Sequence, residues 1–304
     1  MFDKNPEEHY LKEGDPNKPT YYIIRRMIEN TELLTVCRMV MGHVRYALSK
    51  GWLPVVDMQN YPNPYLAPEK LGKENAWEYY FEQPFRIGVE QAYSGENIIL
   101  SNGDCVKPYP DYSMSLAQKN KDTLIEWRML MKMGFIKIKP ELAEEVSTMR
   151  RKLFSSEDIV LGVLLRGKNY TDKKIKGRPI PPPVEFALNT VRDKFKDWTC
   201  TKVLLMTEDK SVEEAFKNNF GDRCILLDQI YAVCYDTEKH DLADLNPSDD
   251  DKGELFIKGK KYLLQTLLLS DCNSFIAERC DDTASVMLPA NKFAHTHFFN
   301  LGNY

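Results

Sequence analysis

Four short apolar runs, separated by stretches with helical periodicity, dominate the second half of the chain. Runs that are apolar at nearly every position are typical of strands buried on both faces of a parallel sheet. The alternation of such runs with helical stretches predicts a doubly wound parallel sheet. The predicted strands are 159–166, 202–207, 224–227 and 274–277, and the predicted helices are 184–196, 211–218, 259–270 and 282–288. Ser211 is the predicted N-cap of its helix, because Glu214 follows three residues later.

The first half also shows an α/β pattern, although a weaker one. Apolar residues recur at helical spacing from Ile23 onward and predict a helix over at least 32–50, which Gly51 ends. The run 53–58 predicts a buried strand, and 97–101 predicts a second one. The aromatic segment 75–81 predicts a short helix, and the stretch 119–154 predicts two helices, the second starting at Pro140.

Chain length favours two domains, since a single core seldom grows beyond about 250–300 residues. The chain has 304 residues. We place a polar leader at residues 1–20, an acceptor-side α/β domain at 21–150, and a donor-binding domain at 151–304.

Charge and composition narrow the class of protein. The formal net charge is −4 and the pI about 5.9, which argues against a nucleic-acid partner. The seven cysteines include no CxxC pair, so we expect free thiols in a reducing compartment. No apolar segment is long enough to span a bilayer. We therefore expect a cytoplasmic protein, with peripheral association at the inner face of the membrane left open, and with its oligomeric state undetermined.

Polar residues follow three of the predicted strands, and parallel sheets bind ligands beyond the carboxyl ends of their strands. Arg166 and Lys168 would neutralise phosphate oxygens, or Arg166 would pair with a nearby acid on an ordinary surface loop. Glu208 and Asp209 would bind ribose hydroxyls or a base edge, or would only complement the start of a helix. Thr283 would bind phosphate together with backbone amides, or Asp281 or Asp282 would act as a simple N-cap.

Several common motifs are absent from the sequence. It contains no GxGxxG, no GxxxxGK[ST], no GxSxG and no HExxH. The run Asp249–Asp251 has the letters of a metal-binding DxD, but it lies in a polar tract and we interpret it as solvated charge. We therefore predict no metal and no cofactor.

Three segments resemble the motifs of the fucosyltransferase superfamily. The strand ending in Leu164-Leu165-Arg166 resembles that family's strand ending in His-x-Arg, with Leu164 in place of the His. The run 202–209 resembles the strand ending in Thr-Asp/Glu-Asp, and 267–276 resembles a helix that ends in Ser-Asp and leads into a strand. In the first half, 51–65 and 74–84 resemble bacterial members of a related group from polysaccharide gene clusters.

The resemblance implies a GT-B-like fold of two Rossmann-like domains facing a central cleft. It also implies inverting, metal-independent transfer of a sugar, such as fucose from GDP-fucose, to a glycan or lipid-linked saccharide. Arg166 would bind the β-phosphate, and Asp209 the base or ribose. The donor-binding set that follows is Arg166, Lys168, Asn169, Thr207, Glu208, Asp209, Ser270, Thr283 and Ser285.

Candidates for the acceptor side come from the first half. Asp57, at the end of a predicted strand, is our candidate base and His43 the second choice, although a turn cap and a packed helix residue are the plain alternatives. Tyr61 and Tyr65, flanked by prolines, are expected at the acceptor surface. Two other functions stay open: a non-catalytic nucleotide- or glycan-binding module that has kept the fold, and an unrelated α/β enzyme.

Overall fold

The chain divides into two compact units. The first comprises Met1–Ala143 and Asp241–Lys260, and the second comprises Glu144–His240 and Lys261–Tyr304. The predicted leader contains a strand of the first unit, and residues 252–260 group with the first unit although the sequence placed them with the second. The computed structural model describes residues 8–25, 32–102, 128–129, 132–166, 174, 176–177, 179–226, 252–280, 286–287 and 293–304.

Strands and helices alternate through both units. The strands are β1 His9–Lys12, β2 Thr20–Arg25, β3 Leu53–Asp57, β4 Asn97–Leu100, β5 Val160–Leu165, β6 Lys202–Thr207, β7 Cys224–Leu226, β8 Ser274–Glu278 and β9 His295–Phe299. The α-helices are α1 Leu33–Ser49, α2 Val89–Tyr93, α3 Pro140–Leu153, α4 Val184–Asp197, α5 Lys210–Phe220 and α6 Lys252–Ser270.

The sheet of the second unit has the strand order β7-β6-β5-β8-β9, and all of its pairs are parallel. All six residues of the central strand β5 are buried. Helices α4 and α5 cover one face, where their apolar residues join Leu161 and Val163 in one core cluster. On the other face, a Cβ on Gly162 would lie 3.2 Å from Leu269 of α6, so glycine permits this close approach. The predicted doubly wound parallel sheet is confirmed.

The sheet of the first unit has the order β1-β4-β2-β3. The strand β2 runs parallel to both of its neighbours, and β1 pairs antiparallel with β4. Helix α1 buries Met41 and Val44 completely, while the short α2 packs Val89 and Ala92 with Ile23 and other residues of the sheet. Helices therefore cover an open α/β sheet in this unit too.

Several elements differ from the sequence prediction. The strand β2 overlaps the start of the segment from Ile23 onward whose apolar residues recur at helical spacing, because buried residues such as Tyr22 and Ile24 suit a strand covered on both faces. The helix predicted over at least 32–50 is present as α1. The predicted helix at 75–81 is a single 3₁₀ turn, Ala76–Tyr79. Helix α5 is capped by Asp209 rather than by Ser211, and α6 starts at Lys252. The strands β1 and β9 were not predicted, because their sequences mix polar with apolar residues.

Two buried amide side chains close the outer edge of β3. Gln83 accepts a hydrogen bond from the Val56 amide (2.9 Å) and donates one to the Val56 carbonyl (2.8 Å). Asn75 accepts from the Met58 amide (3.1 Å) and also donates to the Val56 carbonyl (2.8 Å). The two side chains therefore take the place of a neighbouring strand, and they satisfy backbone groups that are buried away from water.

The edge closure predicts a loss of stability for Gln83→Leu. The variant leaves the buried Val56 amide without its acceptor, which costs about 1–3 kcal/mol of unfolding free energy. Urea unfolding followed by circular dichroism measures this change. Gln91→Leu is the matched control, because Gln91 lies exposed on α2 and its replacement should change stability by less than about 0.5 kcal/mol. Equal effects of the two substitutions would contradict the edge closure.

Candidate functional site

The carboxyl ends of β5, β6 and β8 lie side by side in the second unit. Leu165 of β5 pairs with Thr207 of β6, and Leu164 pairs with Ala277 of β8. Arg166, Glu208 and Arg279 directly follow these three strands. The sheet therefore brings Arg166 and Glu208, which the sequence singled out, to the edge where open parallel sheets bind ligands, together with Arg279.

Arg166 directly follows the central strand β5. Its main-chain amide donates a hydrogen bond to Glu278 Oε1 at 2.5 Å, and its side chain is partly buried. Glu278 ends β8, with 6% of its surface exposed. No role was predicted for Glu278, because an acid after an apolar run resembles any surface residue. The structure makes Glu278 the acceptor of the Arg166 amide, directly after β5.

Asp209 and Thr207 shape the turn after β6. Asp209 caps α5 by accepting hydrogen bonds from the Ser211 amide (2.8 Å) and the Ser211 hydroxyl (2.6 Å). The buried Thr207 hydroxyl accepts from the Asp209 amide at 3.1 Å. Glu208, between them, is exposed. Of this group, Glu208 presents its side chain most openly at the sheet edge, while Asp209 has a structural role as a helix cap.

Ser270 does not lie with these residues. It is the last residue of α6, which leads into the amino end of β8, and its hydroxyl donates to the Leu267 carbonyl at 2.7 Å. It therefore lies at the opposite edge of the sheet from Arg166. Four further predicted donor residues fall outside the described part of the chain: Lys168, Asn169, Thr283 and Ser285.

The first unit has its own polar cluster at the carboxyl edge of its sheet. Arg25 ends β2 and pairs in register with Asp57, which ends β3, and Ser101 follows β4. Arg25 donates from Nε to the Ser101 carbonyl (2.8 Å) and from a terminal nitrogen to the Tyr61 hydroxyl (3.1 Å). Neither Arg25 nor Ser101 was predicted as a site residue: β2 was not recognised as a strand, and Ser101 was given no role although it ended the predicted strand 97–101.

Asp57 is buried and its carboxylate is fully engaged. It accepts four hydrogen bonds, from the amides of Gln59 and Asn60, from the Asn60 side chain and from the Tyr93 hydroxyl. A carboxylate offers about four acceptor positions. Within the described residues Asp57 thus acts as the cap of the turn after β3, and the structure does not support its prediction as the base.

The two predicted acceptor-side tyrosines have different environments. Tyr61 is partly exposed, and its hydroxyl receives the hydrogen bond from Arg25. Tyr65 is buried at 3% exposure, and its hydroxyl accepts a hydrogen bond from the Leu33 amide at the first position of α1. Burial raises the pKa of Tyr65 above its usual value. Tyr61 therefore remains a candidate for ligand contact, whereas Tyr65 caps a helix inside the core.

His43 lies in the core between α1 and the sheet. It has no exposed surface, and its Nδ1 shares a hydrogen bond of 2.9 Å with the Tyr22 hydroxyl. Burial lowers the pKa of His43 from 6.5 to about 4, so the ring is neutral at neutral pH. Because a catalytic base must reach the proton that it removes, this position contradicts the second choice of base as well.

Other kinds of site find little support in the described part of the chain. It contains no group of three or more His, Cys, Asp or Glu side chains that could hold a metal ion. The five cysteines in it are free thiols, two of them buried. None of its helices is both long and apolar enough to cross a membrane. The run Asp249–Asp251 falls outside the described residues.

Comparison with solved structures identifies the architecture. The fucosyltransferase NodZ from Bradyrhizobium matches with a TM-score of 0.53 and 16% identity, over 94% of this chain and 97% of that chain. POFUT1 in complex with GDP matches with a TM-score of 0.52 and 10% identity, over 94% of this chain and 99% of that chain. POFUT1 in complex with GDP-fucose gives 0.51 and 10%, over 95% and 99%.

The fold is GT-B-like. At these low identities the likeness establishes the fold and leaves the residues to be argued from their own geometry. No family model matches the sequence, and no curated protein matches it either. The predicted fold class is thus confirmed, whereas the donor and acceptor residues remain predictions.

The buried His43 predicts a pH dependence of stability. The pKa is about 4 in the folded protein against about 6.5 when unfolded, so the unfolded chain binds more protons between these values. Unfolding free energy should therefore fall as pH is lowered from 6.5 toward 4, by up to about 1.4 kcal/mol per pH unit from this group.

Urea unfolding of wild type and His43→Gln at several pH values between 4.5 and 7.5 measures this dependence. The difference between the two proteins should be constant above pH 7 and shift in favour of the variant as the pH falls. A difference that stays constant over the whole range would show that protonation of His43 is not coupled to unfolding.

Proposed function

We propose that the protein is a glycosyltransferase that takes a sugar from a nucleotide-linked donor, with GDP-fucose preferred, and transfers it to a glycan or a lipid-linked saccharide. The observation that carries the proposal is Arg166 at the carboxyl end of the central strand of an all-parallel sheet. Solved proteins of the same fold include complexes with GDP and GDP-fucose. Their ligands motivate the choice of GDP.

The proposed role of Arg166 is to stabilise the leaving group. Transfer breaks the bond between the anomeric carbon and the diphosphate while the acceptor hydroxyl attacks that carbon and releases its proton to solvent. Negative charge grows on the departing diphosphate, and a guanidinium fixed beside it lowers the barrier. The hydrogen bond from the Arg166 amide to Glu278 supports this role, because it holds the backbone of Arg166 before the donor arrives.

The burial of both bases predicted from the sequence shapes the proposed mechanism. Asp57 and His43, the two candidates from the sequence, are buried and engaged. We propose that the reaction depends chiefly on orientation and on charge stabilisation of the leaving group, and that it proceeds with inversion and without a metal. The same observation favours the second candidate function, a nucleotide- or glycan-binding module that has kept the fold and lost the chemistry.

Thermal unfolding with added nucleotides tests the donor site. We expect GDP to stabilise the protein more than UDP, dTDP or CMP, by about 2.7 kcal/mol at a concentration 100-fold above its dissociation constant. Arg166→Ala should abolish the shift, whereas Arg192→Ala, a change on the exposed side of α4, should keep it. A shift that Arg166→Ala leaves intact would refute the donor-binding role of this residue, and a selective shift with UDP would exclude fucose.

Hydrolysis of GDP-fucose separates the enzyme from the binding module. A transferase with bound donor should release GDP slowly into water in the absence of acceptor, and Arg166→Ala should lower that rate at least about 100-fold, the loss typical of one charge-stabilising group. Coupled detection of GDP measures the rate. If GDP-fucose binds and no GDP is released with any glycan tested, the binding module is the better description.

A further inference from the structure

Arg25 lies at the carboxyl edge of the sheet of the first unit. Its guanidinium is fixed in position, but only part of its hydrogen-bonding capacity is used. The Arg25 amide donates to the Ser101 hydroxyl at 3.0 Å, and Arg25 Nε donates to the Ser101 carbonyl at 2.8 Å. One terminal nitrogen donates to the Tyr61 hydroxyl at 3.1 Å, and the guanidinium carbon lies 5.5 Å from the Tyr61 ring centre. The main-chain amide and the guanidinium of Arg25 are thus both held by uncharged neighbours.

The donor count of Arg25 leaves capacity for a ligand. A guanidinium has five N–H donors in a planar fork, and two of them are used here within the described residues. No ion pair joins Arg25 to an acid in the same part of the chain. The acid next to it in register, Asp57, is occupied by its four hydrogen bonds. The fork of Arg25 therefore keeps donors for a ligand at the carboxyl edge of this sheet.

We propose that Arg25 binds an anionic group, a carboxylate or a phosphate, on the acceptor glycan. A planar fork with free donors matches the two oxygens of either group. The Tyr61 ring, partly exposed beside it, offers an aromatic face on which a sugar ring can pack. That the ligand is the acceptor rests on the proposed function. The anion site itself rests on Arg25, Ser101 and Tyr61 alone.

Binding of three sugars of matched shape tests the proposal. The probes are methyl glucuronoside, glucose 6-phosphate and methyl glucoside, whose dissociation constants are measured by ligand-observed NMR titration with the full chain. We expect at least one of the two anionic probes to bind at least tenfold more tightly than methyl glucoside. The stronger of the two identifies the group as carboxylate or phosphate.

Variants assign that preference to Arg25. Arg25→Gln should remove the tenfold preference, and Arg25→Lys should keep only part of it, because lysine lacks the fork. Arg86→Gln is the matched control, since Arg86 is an exposed arginine of the same unit that pairs with Glu82, and it should keep the full preference. If Arg25→Gln is unstable, Tyr61→Phe removes only the hydroxyl that orients the fork and should weaken anionic binding about threefold or more.

The outcomes separate this proposal from the donor site. Wild-type protein that binds all three sugars equally, or a preference that survives Arg25→Gln and Tyr61→Phe, overturns the proposal. An Arg25→Gln variant that loses affinity for GDP but keeps its preference for anionic sugars also overturns it. Arg25-dependent binding of anionic sugars by a protein that binds no nucleotide would support the anion site while refuting the transferase.

Discussion

The end of a parallel strand leaves main-chain amides that no further strand residue can satisfy, and both units meet this constraint in the same way. In the first unit, the Ser101 hydroxyl accepts the amide of Arg25 at the end of β2. In the second, the Glu278 carboxylate accepts the amide of Arg166 just after β5. Each acceptor lies at the end of the adjacent strand, and each amide belongs to an arginine. In each unit, a single hydrogen bond therefore satisfies a main-chain amide and also positions a positively charged residue.

This arrangement gives the two units similar chemistry from unrelated sequences. β2 and β5 are each flanked by parallel strands on both sides, so their ends lie at the middle of the carboxyl edge. The main chain of each arginine is held there by a side chain at the end of the neighbouring strand. Rigid placement is what charge stabilisation needs, because a preorganised donor does not have to reorganise when charge develops.

The second unit was largely predictable from sequence, since its strands are apolar at nearly every position and only a sheet covered on both faces tolerates that pattern. The first unit was harder, because Ile23 fits a helical spacing with Met27 as well as it fits a strand. The roles of individual polar residues were even harder to predict. Asp57, His43 and Tyr65 have the side chains that catalysis uses, yet the structure employs them as a turn cap, a core residue and a helix cap. Their burial and their hydrogen-bond partners decide their roles, and neither can be deduced from a single sequence.

The amide side chains along β3 have a consequence for self-association. Sheets from separate molecules can join end on end indefinitely only when each offers two free edges. Gln83 and Asn75 occupy one edge of the first sheet, and among the described strands β1 forms the other. Two molecules that met through β1 would each present a blocked edge to the next. Growth through the sheet of the first unit alone would therefore stop at a pair.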